Sequence, residues 1–172
     1  MAASVASATG RRRSGPTPML DLPVMPSALA SSVNPGFVLE RVLDCTIPGT
    51  PVPKARARKG AGGRWYTPEV TASQEASIRQ YVSGWMLATR VKPIEGPIIV
   101  EVHSMFSRPS GNKTQMHTQR PDWDNLGKVT DALNGVAWND DCQVVCGLSQ
   151  KGWAVTPCVR IIIYRVKHEE SI

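Results

Sequence analysis

The sequence predicts an α+β domain, a mixed β-sheet with two helices packed against it. Three observations predict it. Residues 38–47, 98–106, 143–150 and 158–166 alternate or run apolar at strand length, two other segments repeat apolar residues at helical spacing, and Pro, Gly and Asn punctuate the junctions. With 172 residues and 41% hydrophobic content, the chain suits a single domain whose core needs no staple. We place that domain at residues 37–167, behind an extension of residues 1–36 and ahead of a tail at 168–172.

A net charge of +6 and a pI near 9.4 favour a polyanionic partner, because a basic surface steers phosphate-rich ligands. Charge alone is equally compatible with a protein that binds no nucleic acid. Cys45, Cys142, Cys146 and Cys158 form no C-x-x-C pair, and neither a secretory signal nor a long apolar run accompanies them. They are expected as reduced, buried small hydrophobes of a cytoplasmic protein with no membrane partner. Residues 1–36 are rich in Ala, Ser and Pro, carry Arg11, Arg12 and Arg13 together and show no periodicity, so disorder is expected there. Their composition fits an organelle transit peptide, a basic nucleic-acid arm, or an over-extended start with Met19 or Met25 as the true beginning.

In chain order, Leu39, Leu43, Cys45 and Ile47 share one parity, with Arg41 as the exception, which predicts a first strand with one buried face. Residues 48–66 break that pattern with repeated Pro and Gly. They place Lys54, Arg56, Arg58, Lys59 and Arg64 on a loop or hairpin, with Trp65 and Tyr66 behind them. Alternate basic residues on extended chain suit a phosphate backbone, and an exposed aromatic suits an unpaired base. The alternative is a solvated loop with Trp65 in the core.

Thr67, Pro68 and Glu69 read as a helix start, with the hydroxyl as N-cap and proline at the first helical position. Ile78, Tyr81, Val82 and Trp85 define its inward face, Gly84 weakens it, and it is expected to end between Thr89 and Lys92. In the strand at 98–106, Ile98, Val100, Val102 and Phe106 alternate with a more polar face of Glu101, His103 and Met105. His103 is either a structural hydrogen-bonder or a neighbour of an acidic site. Residues 107–119 form a polar loop carrying Arg108, Lys113 and His117. Beyond residue 141, Val144, Cys146 and Leu148 share parity, Gly152 and Pro157 bracket a connection, and residues 158–166 are apolar enough for a well-covered strand. Lys167 to Ile172 read as a frayed end.

Residues 120–141 hold five of the seven aspartates of this basic chain: Asp122, Asp124, Asp131, Asp140 and Asp141. Crowded like charges repel unless a cation offsets them. Pro121 biases the chain toward extended geometry, so Asp122 and Asp124 are expected to face the same way, with Asp124 as N-cap of a helix defined by Leu126, Val129 and Leu133. Those apolar positions fall within roughly 60° of one another, and Asp124, Lys128 and Asp131 share the opposite arc. Asn134-Gly135 ends the helix, and an apolar return delivers Asp140 and Asp141. Oxygen ligands from two elements favour Mg²⁺, with Mn²⁺ as a substitute, and Lys128 is suited to offset charge developing on a phosphoryl group. Read singly, Asp124 is a cap, Asp131 and Lys128 an ion pair, and Asp140-Asp141 a turn.

Arg120-Pro-Asp-Trp-Asp-Asn-Leu-Gly-Lys followed by Asp131-Ala-Leu-Asn-Gly-Val-Ala-Trp-Asn-Asp-Asp-Cys-Gln-Val-Val resembles the signature of the RusA-type Holliday junction resolvases of bacteria and their prophages. Pro51-Val-Pro-Lys-Ala-Arg-Ala-Arg and Gly63-Arg-Trp-Tyr-Thr-Pro resemble the basic segment of phage members, and the likeness spans roughly residues 38–166. The resemblance implies a RusA-like fold and a Mg²⁺-dependent endonuclease of bacterial or phage-infected cytoplasm. It further implies a homodimer that nicks opposing strands of branched, four-way DNA in recombination and repair. By motif position the essential acids are Asp122, Asp124 and Asp141, with Asp140 beside them on the metal and Lys128 as the functional lysine. Lys54, Arg56, Arg58, Lys59, Arg64, Lys113 and Arg120 are the expected DNA contacts, and Asp131 is expected to support Lys128. Trp123 stands where the family usually has an aliphatic residue, and the extension at 1–36 lies outside the pattern. Other readings of the same residues are a less selective branched-DNA nuclease, a non-catalytic DNA-binding module, and a metal-dependent glycosyltransferase using Asp122-Trp-Asp124 as its D-x-D clamp.

Overall fold

The computed structural model describes residues 36–168; the expected extension before Gly36 and the end at 169–172 lie outside the described residues. Its elements are β1 (Phe37–Pro48), a short hairpin of β2 (Arg58–Lys59) and β3 (Trp65–Tyr66), α1 (Glu69–Thr89), β4 (Ile98–Ser107), α2 (Trp123–Gly127), β5 (Val144–Ala154) and β6 (Cys158–His168). Two 3-10 turns, Lys128–Leu133 and Asp141–Gln143, join α2 to β5. The four long strands form one mixed sheet in the order β1-β6-β4-β5, antiparallel except for the parallel pair β4/β5. That parallel pair requires a crossover, and α2 with its 3-10 extension supplies it.

One face of the sheet carries the main core. Leu43, Cys45 and Ile47 of β1, Val159, Ile161 and Ile163 of β6, and Ile98, Val100 and Val102 of β4 cluster with Ile78, Val82 and Met86 of α1 and with Val129, Leu133 and Trp138. The register shift between Arg41 and Leu43 explains the exception noted in β1. A bulge of one residue reverses the side-chain parity, so Leu39 and Arg41 lie on the face opposite Leu43. Burial in this core pushes the Cys45 thiol up to about 11, and Cys158 is buried too. Cys142 is exposed and Cys146 half-buried, contrary to expectation, because both sit on the turn and edge strand outside the core.

Several boundaries shift. Pro68, not Thr67, is the N-cap of α1. Proline's fixed φ suits the capping position as well as the first helical one, and its carbonyl accepts from Ala72 N–H at 3.0 Å. The inward face is Ile78, Val82 and Met86, spaced by four, while Tyr81 is 45% exposed. Gly84 does not interrupt the helix, which closes on Arg90 in the left-handed region with φ of 60°. β5 runs through Gly152 to Ala154, and Lys167 and His168 stay paired with Val38 and Phe37.

On the second face of the sheet the polar side of β4 is not fully solvated: Glu101 and Arg160 are buried. Arg160 donates twice to Asp44, Nε to Oδ1 and Nη2 to Oδ2, each at 2.7 Å. His103 lies 3.2 Å from Glu101, which assigns it to this face and makes it a structural partner. Removing one partner of a buried bidentate pair leaves an uncompensated charge, which costs more than the pair contributes. We expect Asp44→Ala to lose about 3 kcal/mol in urea unfolding, through a lower midpoint at unchanged slope, and Asp44→Ala/Arg160→Met to recover part of that loss.

Candidate active site

α2 is fixed by what lies under it and beside it. Leu126, Val129, Ala132 and Leu133 are buried, so the segment presents its other side outward. Gly127 allows the close approach to β5, since a Cβ there would come within 3.2 Å of the Ser149 Cβ. At the N-terminus the Trp123 indole N–H donates to Ser149 O, and Ser149 Oγ lies 3.4 Å from Trp123 O. Lys151 Nζ donates to the carbonyls of Gln119 and Pro121 at 2.7 and 2.8 Å. Four hydrogen bonds thus tie the start of α2 to the middle of β5.

Asp122, with extended φ and ψ of −71° and 142°, is the N-cap residue, and Asp124 lies within the first turn instead of capping it. The two acids line different clefts. Asp122 lines a cleft of about 510 Å³ with Lys54, Arg56, Arg120 and Asn125. Asp124 lines a smaller one, about 250 Å³, between α2 and β5. Both acids are exposed, as is Lys128, whose Nζ lies 3.3 Å from Asp124 Oδ2 and 3.3 Å from Asn125 Oδ1.

Residues 51–66 form a basic strap across this region. Val52 N–H donates to Gln74 Oε1 at 3.1 Å, Ala55 N–H to Thr71 Oγ1 at 3.3 Å, and Lys54 N–H to Asn125 O at 2.9 Å. The Lys54 ammonium sits 2.8 Å from Asp131 and 3.1 Å from Glu75. Asp131 therefore pairs with Lys54 and not with Lys128, whose ammonium lies beside Asp124. The hydrogen bond to Asp131 holds the Lys54 pKa above the ordinary lysine value, and Glu75 adds to it against the effect of burial. Lys54 is spent on fastening the strap. Arg56, Arg58, Lys59 and Arg64 remain exposed along it, and Trp65, at 70% exposure, stands outside the core. Lys113 is exposed on the loop that leads to Arg120.

Asp140 and Asp141 occupy the opposite end of β5. Asp140 Oδ1 accepts from Cys142 N–H at 2.9 Å, and Gln143 Oε1 accepts from Asn139 and Asp140 N–H at 2.9 and 3.0 Å. This reciprocal cap, with the Cys142 amide as chief cause, holds the Asp140 carboxyl below the ordinary carboxylate range. Gln143 Nε2 in turn donates to the carbonyls of Ile94 and Gly96 at 3.0 and 2.9 Å. Asp140, expected on the metal, thus has one oxygen engaged in building the turn that displays Asp141. The carboxylate donors suit Mg²⁺ or Mn²⁺ chemically. Asp122 and Asp124 lie near one end of β5 and Asp141 at the other, and among the described residues no three His, Cys, Asp or Glu side chains are grouped to hold an ion by themselves.

Sequence reading missed Asn125, Ser149, Lys151 and Gln143 as the groups that hold these acids in place. Asp140-Asp-Cys-Gln143 is a readable capping pattern, whereas nothing local in β5 marks Ser149 or Lys151. His117, expected on a solvated loop, is buried between Phe106 and Trp153, with ring centroids at 4.5 and 4.2 Å. It anchors the loop five residues before Asp122. Burial lowers its pKa from the ordinary 6.5, and the Lys151 charge adds to the effect. A depressed histidine contributes stability that is complete above pH 6.5 and lost as pH falls through the lower folded value. Trp153 fluorescence is expected to change in that acid window in the native protein, and His117→Phe, which keeps a neutral ring there, is expected to abolish the step.

A search of curated proteins finds no match to the chain. Residues 48–164 match the family model for the endodeoxyribonuclease RusA, a span that includes the strap, both helices, every aspartate of the 120–141 stretch and the sheet from β4 through most of β6. The matched region is well over half of the chain, and the chain belongs to the RusA endodeoxyribonuclease family.

Proposed function

We propose that this protein is a structure-selective endonuclease that resolves four-way DNA junctions by paired nicks, acting as a homodimer with Mg²⁺, or Mn²⁺ in its place, during recombination and repair in the cytoplasm. The observation that carries the reading is the position of Asp122. Its carboxylate stands in one cleft with Arg56 and Arg120, beneath a strap whose other cations are exposed. Cations in that arrangement suit phosphates, and an exposed acid among them is placed to act at a phosphate they hold.

In this reading Arg56, Arg58, Lys59, Arg64, Lys113 and Arg120 bind the DNA backbone, with Trp65 free to stack on an unpaired base. Lys54 positions the strap. Asp122, Asp124 and Asp141 are the essential acids; a divalent cation, when bound, supplies Lewis-acid activation at the cut phosphate. Lys128, held beside Asp124 and Asn125, is within the same region to offset negative charge on the phosphoryl oxygens. Asp140 serves as the cap that orients Asp141. A nucleotide-sugar transferase is the weaker reading, since residues 48–164 match an endodeoxyribonuclease family. No helix among the described residues is long and apolar enough to cross a membrane.

Labelled four-way, forked and linear DNA incubated with the protein in Mg²⁺ or EDTA tests this. The wild type is expected to nick the junction symmetrically, and only with the metal. Asp122→Asn is expected to bind the junction with unchanged affinity and to cut at least about 100-fold more slowly. Cutting of all three substrates would indicate a general nuclease, and binding without cutting a non-catalytic module.

A further inference from the structure

The segment from Arg56 to Thr67 stands clear of the body of the protein: apart from half-buried Gly60, every residue in it is exposed. Its two ends are nevertheless fixed to the start of α1. Before it, Ala55 N–H is bound to Thr71 and the Lys54 ammonium to Glu75 and Asp131; after it, Pro68 caps the helix. In between, the chain pairs with itself. β2 and β3 match Arg58 with Tyr66 and Lys59 with Trp65, Gly60 N–H donates to Arg64 O at 2.9 Å, and Gly63 closes the tip with a φ of 74° that favours glycine.

Two large aromatics are displayed on this arm, Trp65 at 70% exposure and Tyr66 at 51%. Successive residues of a strand point to opposite faces, and residues paired directly across strands share one. One face of the ribbon therefore carries Trp65 with Lys59, and the other Tyr66 with Arg58. Tyr66 leans along its face toward Gly60, where a Cβ would meet the ring at 3.8 Å. An aromatic and a cation on each side give the ribbon the form of a wedge, since unpaired bases stack on the rings and the phosphates beside them meet the cations. Linear duplex has no opening for it, because its bases already stack on one another. A branch point, where strands change partners, interrupts that stack.

Building on the junction-cutting reading, we infer that residues 58–66 enter the branch point, with Trp65 and Tyr66 stacking on bases of different arms, and that this contact makes the protein prefer junctions to linear duplex. The charge of the strap cannot supply the preference, because phosphate contacts are blind to it. Arg56, two residues before β2, lines the cleft of Asp122, so a strand leaving the wedge passes the acid.

A four-way junction with 2-aminopurine beside the branch point, and a linear duplex carrying the same base, test the inference when titrated with the protein in Ca²⁺ in place of Mg²⁺. The wild type is expected to change the fluorescence of the base in the junction alone. Trp65→Ala/Tyr66→Ala is expected to lose that change and to lower the ratio of junction to duplex affinity at least about tenfold, whereas Trp65→Phe/Tyr66→Phe keeps both. Lys59→Gln/Arg64→Gln is expected to weaken both substrates alike. An alanine double variant that keeps the wild-type ratio would overturn the wedge, as would one that loses affinity for both substrates equally. A wild type that prefers the junction with no change in fluorescence would do the same. A wild type that binds the two substrates equally and cuts neither in Mg²⁺ would instead remove the junction-cutting reading on which the inference rests.

Discussion

The burial of Leu126, Val129, Ala132 and Leu133, the last three in the main core, decides what every charged residue in the segment can reach. Two of these side chains are completely inaccessible, and each fully buried Leu contributes roughly 1.5–3 kcal/mol relative to exposure, so the stripe cannot rotate to suit a ligand. With the stripe fixed, Asp122 and Asp124 emerge at the start of α2, Lys128 one turn on, and Asp131 under the strap. Gly127 lets this rigid piece sit directly on β5, where a Cβ would press against the Ser149 side chain.

Charge is distributed around that fixed piece in two ways. One set of ionic groups is matched: Arg160 by Asp44 in a largely buried pair, and Lys54 by Asp131 and Glu75 in a part-exposed one. Outside, the strap leaves Arg56, Arg58, Lys59 and Arg64 exposed. The matched set holds shape, because each member would be costly to leave alone; the exposed set makes a surface suited to phosphate. Lys54 lies on the boundary between them. Its backbone amide binds Asn125 and its ammonium binds Asp131, so the strap is anchored to the acidic segment at one residue.

The strands were legible because their apolar periodicity is strong, and β6 reads as covered because it lies between β1 and β4. Arg41 looked like an error in the β1 pattern until the bulge after it reversed the faces, which no parity count of β1 alone reveals. The dense aspartates were equally visible, yet their geometry was not. Lys128 and Asp131 are spaced to pair along their own segment, yet Lys128 turns to Asp124 and Asp131 to Lys54, 77 positions earlier. Likewise, two adjacent carboxylates at 140 and 141 look alike in sequence, although one caps a turn and the other is displayed by it. Long-range partners, not local preference, made these differences, and only the folded chain records them.

The central claim is that the strap and the N-terminus of α2 form one surface that grips and cuts a DNA backbone. An experimental structure of the protein with a four-way junction and Ca²⁺ tests it most directly, because Ca²⁺ accepts the same oxygen donors as Mg²⁺. The account predicts a backbone phosphate seated in the cleft of Asp122, Arg56 and Arg120, a cation against Asp122 or Asp124, and the DNA strand running along residues 56–64. DNA lying on the opposite sheet face, over Asp44 and Arg160, with the Asp122 cleft facing solvent, would contradict it.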